Sequence, residues 1–174
     1  MLSVKEIEKY LKEVNEHLLK INKEGEIILA GGAVMALVYG ARNSTKDIDA
    51  LFVPLTEMRD IIKNISIKYD LTRDWLNDGV KGFFTSSMNK QLYKEYSNLV
   101  IYSLDAEAML ALKLTSARNE SKDQADALFL MKYLKIDNIE QLYEIVDKYI
   151  PKSRKTVNSH YFIMDCFDKY SKRK

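Results

Sequence analysis

The chain has 174 residues, of which 47% are hydrophobic and 30% are charged, and its formal net charge is +2. This composition is typical of a globular protein with a substantial core and excludes a disordered chain, while so mild a charge does not establish a nucleic-acid partner. No apolar run reaches the length of a membrane span and the N-terminus lacks a signal-peptide pattern, so we expect a cytoplasmic protein without a membrane partner. A single cysteine, Cys166, excludes an intramolecular disulfide, and two histidines leave no predicted zinc cluster.

The N-terminal region predicts a helix, a strand and a second helix. Apolar residues recur at spacings of three and four, which predicts an amphipathic packing helix over residues 3–23. The apolar run 27–30 predicts a short buried strand that is broken at Gly31 and Gly32. Good helix formers continue until Gly40, where the pattern predicts that the second helix stops.

The next strand is predicted from Asp47 to Val53, and its period of two places Asp47 and Asp49 on one face. Two adjacent carboxylates repel each other, but oxygen ligands fixed on a strand suit Mg²⁺. Glycines such as Gly31 and Gly32 let a backbone approach a phosphate closely, and the following helix N-terminus offers free N–H groups. Together these segments predict the two halves of a metal–nucleotide site.

This segment also resembles a known family. Gly31-Gly32, fourteen further residues and then Asp47-Ile48-Asp49 resemble the signature of the DNA polymerase beta-like nucleotidyltransferase superfamily. The run from Arg42 to Asp49 resembles its small bacterial branch near the AbiEii abortive-infection toxins. The resemblance implies an α/β (α+β) nucleotidyltransferase fold, in which a small mixed sheet is flanked by helices and followed by a C-terminal helical part.

The resemblance further implies roles for individual residues. Asp47 and Asp49 would be catalytic and would hold Mg²⁺ or Mn²⁺. The implied nucleotide-binding residues are Gly31, Gly32, Arg42, Ser44, Thr45 and Lys113. A structural explanation stands beside these roles: the glycines would form an ordinary turn, Asp47 would cap a turn, and Asp49 would pair with an arginine such as Arg42.

The middle of the chain predicts a helix over residues 56–69, a shaped loop or short helix over 74–84, and a strand over 99–104. The loop holds the only tryptophan, Trp75, and a similar Trp-Leu-Asn stretch in the resembled relatives implies a pocket wall. A core anchor is the alternative for Trp75. The strand contains no carboxylate, whereas the wider superfamily carries a third one on a neighbouring strand, so the third metal ligand stays unassigned.

The C-terminal part predicts helices over 103–117, 121–135, 139–149 and 156–170, with a capping box at Ser121-x-x-Gln124. A tight turn between the first two would form an antiparallel helical hairpin. The apolar neighbours of the cysteine in the last helix predict a buried thiol rather than a reactive one.

That hairpin would place Lys113 opposite Asp126, with Asp123 on the same face as Asp126. A lysine buried in an apolar helix and facing an aspartate is either a structural ion pair or part of a site. The pattern resembles the second conserved region of AbiEii-like nucleotidyltransferases. This resemblance implies a catalytic phosphate contact for Lys113 and the general-base role for Asp126, with Asp123 as the competing candidate.

The sequence therefore predicts a single domain with a packing helix (1–23), a sheet-containing core (24–104) and a helical part (105–174). The resemblance implies transfer of a nucleoside monophosphate from an NTP to an acceptor hydroxyl on tRNA, another RNA or a protein, and a toxin role with an antitoxin partner. The first alternative is a catalytically degenerate module that binds nucleotide, RNA or a protein. The second is a nucleic-acid-binding scaffold that uses the basic C-terminal segments.

Overall fold

The structure, a computed structural model, describes residues 1–116 and 121–173. The chain divides into two compact units, Met1–Phe84 with Lys90–Leu104 and Thr85–Asn89 with Asp105–Lys174. The expected single domain stays a prediction. The turn predicted before residue 121 and the Ser121 side chain of the predicted capping box lie outside the described residues.

The first unit is built on a five-stranded mixed sheet. The seven strands of this unit are β1 Leu2–Ser3, β2 Gly25–Leu29, β3 Ser44–Thr45, β4 Ile48–Val53, β5 Leu76–Asn77, β6 Lys90–Glu95 and β7 Leu99–Leu104. The large sheet has the order β5-β4-β2-β7-β6, and β1 and β3 form a separate pair. Within the large sheet, β2 runs antiparallel to β4 and parallel to β7.

Three helices accompany this sheet: α1 Val4–Lys20, α2 Gly31–Leu37 and α3 Leu55–Tyr69. A capping box between Ser3 and Glu6 starts α1, because each side chain accepts a hydrogen bond from the other residue's backbone. Glu13 ties α1 to α3, since its carboxylate accepts hydrogen bonds from Lys68 Nζ and Tyr69 Oη, each at 2.5 Å.

Trp75 anchors the core of the first unit. Its indole is fully buried and donates a hydrogen bond to the Ile62 carbonyl oxygen at 3.1 Å, which confirms the core-anchor alternative for this residue. The residues on either side of it, Asp74 and Leu76 to Asp78, line a surface pocket of about 520 Å³. The pocket-wall prediction therefore holds for its neighbours rather than for the tryptophan itself.

The second unit is helical: α4 Ala106–Thr115, α5 Ser121–Leu134, α6 Ile139–Tyr149 and α7 Val157–Ser171. Asp105 caps α4 by accepting a hydrogen bond from the Ala108 N–H, so the preceding strand ends before the helix begins. Tyr149, 1% exposed, holds the segment Thr85–Asn89, because it accepts hydrogen bonds from Thr85 Oγ1 and Asn89 Nδ2, both at 3.1 Å.

Cys166 is fully buried in α7, as predicted, and burial raises the pKa of its thiol to about 12. The mixed sheet with flanking helices and the helical C-terminal part confirm the predicted fold class. None of the described helices combines the length and the apolar character needed to cross a bilayer.

Candidate functional site

The two glycines lie at the junction of β2 and α2. Ala30 follows the strand and donates its N–H to the Asp49 carbonyl oxygen at 2.8 Å, which joins this junction to β4. Gly31 has a φ of +61°, a conformation that L side chains rarely adopt. The sequence predicted that the strand is broken at these glycines and that the helix follows them, whereas both glycines lie in the first turn of α2.

The predicted α2 also proves shorter than expected. It has seven residues and ends at Leu37, three residues before Gly40, which again has a φ of +61°. The backbone therefore leaves the helical region before this glycine, and the helix is two residues shorter than the sequence indicated.

The atoms that a side chain on either glycine would meet show what surrounds these two residues. A Cβ on Gly31 would lie 2.5 Å from Asp49 Oδ2, well inside van der Waals contact. A Cβ on Gly32 would lie 2.3 Å from Thr45 Oγ1 and 3.1 Å from Arg42 Nη1. A carboxylate thus lies against one glycine, and a hydroxyl and a guanidinium lie against the next.

The two predicted metal ligands lie at the start of β4. The strand begins at Ile48, one residue later than predicted, so Asp47 immediately precedes it. Ile48 and Ala50 are fully buried, while Asp47 and Asp49 are half-buried, an alternation that agrees with the common face predicted for the two carboxylates.

The donor set at this position consists of two carboxylates. Within residues 1–116 and 121–173, no group of three or more histidine, cysteine, aspartate or glutamate side chains could hold a metal ion. On β7, Ser103 lies opposite Leu29 at the end of β2 and supplies no carboxylate. Two hard oxygen ligands beside glycine backbone nevertheless fit Mg²⁺, which usually completes its octahedron with water and substrate phosphates.

Of the two predicted nucleotide-binding residues Ser44 and Thr45, one lies beside Gly32 and the other does not. Both belong to β3, where Thr45 pairs with Leu2 and Ser44 pairs with Ser3. Successive side chains of a strand point to opposite sides, and only Thr45, which is 4% exposed, has its side chain among the atoms nearest to Gly32.

Sequence reasoning missed one neighbour of the carboxylates, Asn77. It lies in register with Asp49 on the parallel strand β5. Its Nδ2 donates to the Asp74 carbonyl oxygen at 3.3 Å, and its Oδ1 accepts the N–H of Gly79 at 3.0 Å. The side chain therefore shapes the loop beside the site. The Trp-Leu-Asn stretch was the signal in the sequence, but the pairing with β4 was not readable from it.

The second unit contains the other predicted cluster. Lys113 Nζ lies 2.6 Å from Asp123 Oδ1 and 2.9 Å from Asp126 Oδ2. The three side chains are only 12%, 13% and 6% exposed, respectively. The predicted pairing of Lys113 with Asp126, and the shared face of Asp123, are both confirmed. The arrangement itself is an ion-pair triad in which one ammonium is shared by two carboxylates.

Comparison with known proteins then gives one match. Residues 5–173 match the model of a family described as "Nucleotidyltransferase of unknown function (DUF6036)". No curated protein and no solved structure is significantly similar to the chain.

Proposed function

The chain belongs to the DUF6036 family of nucleotidyltransferases, and we propose that it transfers a nucleoside monophosphate from an NTP to an acceptor hydroxyl. One observation carries this proposal: the first turn of α2 lacks side chains at two successive positions, and the Asp49 carboxylate, Thr45 hydroxyl and Arg42 guanidinium lie against them. The mixed sheet with flanking helices is a nucleotidyltransferase-like fold.

Each of these groups has a role in the proposed reaction. Asp47 and Asp49 would hold Mg²⁺ or Mn²⁺, which would neutralise charge on the reacting phosphates when bound. Arg42 and Thr45 would orient the triphosphate, since a guanidinium and a hydroxyl donate hydrogen bonds to phosphate oxygens. Gly31 and Gly32 would let these groups lie directly against the backbone, because a Cβ on either glycine would clash with Asp49 or Thr45.

The reaction needs position and charge neutralisation more than a protein nucleophile. The acceptor oxygen forms a bond to the α-phosphorus as the bond from that phosphorus to the β-phosphate oxygen breaks. Pyrophosphate leaves with the electron pair, and the acceptor proton passes to a base. From the resemblance we propose Asp126 as this base and Lys113 as a phosphate contact; the two side chains contact each other at 2.9 Å, so both roles require that this contact is exchanged for substrate.

The binding half of the proposal is tested by thermal unfolding with each NTP, with and without Mg²⁺ or Mn²⁺. At a ligand concentration of about 100 times Kd, we expect a stabilisation of about 2.7 kcal/mol that requires the metal. Asp47→Ala and Asp49→Asn should remove it. Asp60→Ala, which deletes an exposed carboxylate on α3, is the matched control and should keep it. An equal stabilisation in all variants would contradict the metal-site assignment.

The chemical half is tested with an NTP labelled at the α-phosphate and with tRNA, other RNA and protein as acceptors. We expect label in one acceptor class, together with released pyrophosphate, and loss of both in Asp49→Asn. Relief of growth inhibition by the same variant would support the toxin role that the resemblance implies, and a protein that restores growth would be the antitoxin.

The small number of carboxylate ligands favours a second function, that of a catalytically degenerate module. The described residues supply no third carboxylate, and Ser103 lies at the end of the neighbouring strand instead. Such a module would bind the metal–NTP complex without transferring the nucleoside monophosphate to an acceptor. Metal-dependent stabilisation combined with an absence of labelled product for all three acceptor classes would favour this alternative.

A further inference from the structure

The second unit contains a pocket that is separate from both predicted clusters. It lies between α5, the turn that follows α5 and the end of α7, and its volume is about 890 Å³. Small-molecule sites usually have volumes of about 300 to about 1,000 Å³. Spacings of four place Gln124, Leu128 and Lys132 on one line of α5, so one face of this helix forms a wall. Asp126 of the ion-pair triad, two residues from Gln124 and from Leu128, lies on the opposite face. We call this cavity the α5–α7 pocket.

The walls of the α5–α7 pocket are apolar and partly aromatic. Leu128 and Phe129 of α5 line it and are half-buried, and Tyr170 of α7 lines it and is 8% exposed. Ala125, which is exposed beside them, has too small a side chain to fill the cavity. A flat apolar body placed here would contact two aromatic rings and a leucine, and the contact would remove apolar surface from water.

Three cations border these walls: Lys132 and Lys135 at the end of α5, and Arg173 just beyond α7. All three are exposed, and within residues 1–116 and 121–173 no hydrogen bond or ion pair engages their side chains. Among the described lining residues the one carboxylate is that of Asp137, a residue that already has an interaction of its own. Three like charges around one cavity repel each other, so a bound anion would be stabilised there.

A polar network at Gln124 ties the two helices together beside the pocket. Asp165 Oδ2 accepts hydrogen bonds from Gln124 Nε2 at 2.5 Å and from Lys169 Nζ at 2.9 Å. Lys169 Nζ also donates to Gln124 Oε1 at 3.0 Å. The Asp165 carboxylate is therefore already paired with Lys169 and leaves the positive charge of the rim uncompensated. The same network holds the walls in place, which lowers the entropic cost of binding.

A ligand that fits the α5–α7 pocket needs an apolar body for the walls and an anion for the rim. Phosphate is an anion that lysine and arginine bind through charge-assisted hydrogen bonds, and a nucleobase is a flat body that stacks on aromatic rings. We propose that this pocket binds a nucleoside phosphate, with its base against Phe129 and Tyr170 and its phosphate at Lys132, Lys135 and Arg173. A free nucleotide and a nucleotide at an RNA end share this chemistry. Because the rim itself supplies positive charge, binding here does not require a divalent cation.

The proposal is tested by titration calorimetry of the full chain in a buffer that contains a metal chelator. The probes are the four nucleoside monophosphates, the four nucleosides and inorganic phosphate. At least one monophosphate should bind at least about tenfold more tightly than its nucleoside and than phosphate, because body and anion both contribute. Asp49→Asn should bind it equally well, which separates this pocket from the proposed metal–NTP site. Phosphate that binds as tightly as every monophosphate, or no monophosphate binding at about 10 mM, would overturn the proposal.

Charge reversal at the rim locates the phosphate. Lys132→Glu and Lys135→Glu should each raise the Kd of the monophosphate at least about tenfold, because a carboxylate then faces the anion. Lys122→Glu is the matched control, since Lys122 is an exposed lysine of the same helix that does not line the pocket. Its Kd should stay within about twofold of the wild-type value. An equal loss in all three variants would reduce the binding to unspecific charge attraction and overturn the site.

A blocking substitution locates the base. Ala125→Trp places a large ring in the pocket from an exposed position, so the chain should stay folded by circular dichroism and lose monophosphate binding. Unchanged binding in this folded variant would overturn the placement of the base.

A hexaribonucleotide with a 5′-phosphate distinguishes the two sources of the ligand. Binding at least about tenfold tighter than that of the monophosphate, and lost in Lys132→Glu, would support the proposal with RNA as the source. Equal or weaker binding of the hexaribonucleotide, with the monophosphate still bound, would support it with a free nucleotide as the source.

Discussion

Asp49 in the first unit and Lys113 in the second are both charged residues of a predicted site, but the structure surrounds them differently. Asp49 lies against Gly31, which has no side chain, and the Thr45 hydroxyl and the Arg42 guanidinium lie against Gly32. Lys113 is enclosed by Asp123 and Asp126, and all three side chains are at most 13% exposed. In one cluster polar side chains lie against glycine backbone, and in the other a buried ammonium is enclosed by two carboxylates.

This difference separates two uses of charge. A carboxylate, a hydroxyl and a guanidinium placed beside glycine backbone suit a ligand that brings its own charge, such as a metal-bound triphosphate. A lysine whose ammonium is already held by two carboxylates fixes the register of α4 and α5, and it can serve a substrate only if those contacts are exchanged. The first unit therefore carries the stronger functional argument, while the triad needs experiments that separate stability from activity.

The largest effect is expected for Lys113→Ala. Removal of the ammonium leaves the Asp123 and Asp126 carboxylates buried without it, so we expect a loss of about 3 to 5 kcal/mol in the free energy of unfolding, measured with urea. Lys172→Ala is the control, because its bridge to Asp168 has the same 2.6 Å length but lies in solvent. That variant should lose less than about 0.5 kcal/mol. Equal losses in the free energy of unfolding would mean that the buried triad stabilises the protein no more than the exposed ion pair does.

A role beyond stability would appear in Asp126→Asn. If Asp126 is the general base, the rate of nucleotidyl transfer should fall at least about 100-fold in protein that remains folded. Asp123→Asn is the comparison, since it removes a similar charge from the same ammonium. A 100-fold fall in this variant instead would assign the base role to Asp123, the competing candidate. Rates that only follow the folded fraction in both variants would show that the triad is structural.

The cluster around Gly31 is tested by a pair of glycine substitutions. Gly31→Ala and Gly40→Ala both put a side chain at a φ of +61°, which costs about 1 to 2 kcal/mol. Only Gly31→Ala also drives a Cβ into Asp49, whereas a Cβ on Gly40 meets nothing within 4 Å. We expect Gly31→Ala to lose about 1 kcal/mol more and to lose metal-dependent NTP stabilisation. Retention of that stabilisation would show that the contact of Asp49 with Gly31 is not needed for nucleotide binding.

Sequence reasoning located the parts of the site that depend on local pattern. The β2 run, the glycines and the carboxylates of β4 follow from periodicity over a few residues, and Lys113 and Asp126 follow from helical spacing around a short turn. Each of these relations joins residues that are close in the chain. Their placement could therefore be predicted before the structure was known, although α2 proved shorter than the pattern indicated.

The features that sequence reasoning did not predict depend on pairing between residues far apart in the chain. The β6 strand was not predicted, because Lys90–Glu95 is a mostly exposed edge strand whose pattern is polar and whose partner is set by the sheet. The choice of Thr45 over Ser44 depends on pairing with Leu2, more than forty residues away, and the position of Asn77 depends on register with β4. Short-range periodicity contains no information about such partners.

The smallest effect on stability is expected for a third charged group, Glu13, which is 7% exposed in the first unit. Burial raises its pKa, but the hydrogen bonds from Lys68 and Tyr69 outweigh burial, so the pKa lies below its usual value of 4.5. The folded state then binds fewer protons, and the stabilisation is present above pH 4.5 and is lost as the pH falls through the folded-state pKa.

Glu13→Gln should therefore cost about 1 to 2 kcal/mol at pH 7, because the amide replaces a charge-assisted acceptor. The difference in free energy of unfolding between the two proteins should shrink from pH 6 toward about pH 3, and urea titrations at each pH measure it. Other carboxylates titrate equally in both proteins and cancel in this difference. A difference that stays constant with pH would mean that lost packing, rather than lost charge, explains the variant. In that case the first unit would hold its buried carboxylate as a neutral contact, unlike the charged triad around Lys113.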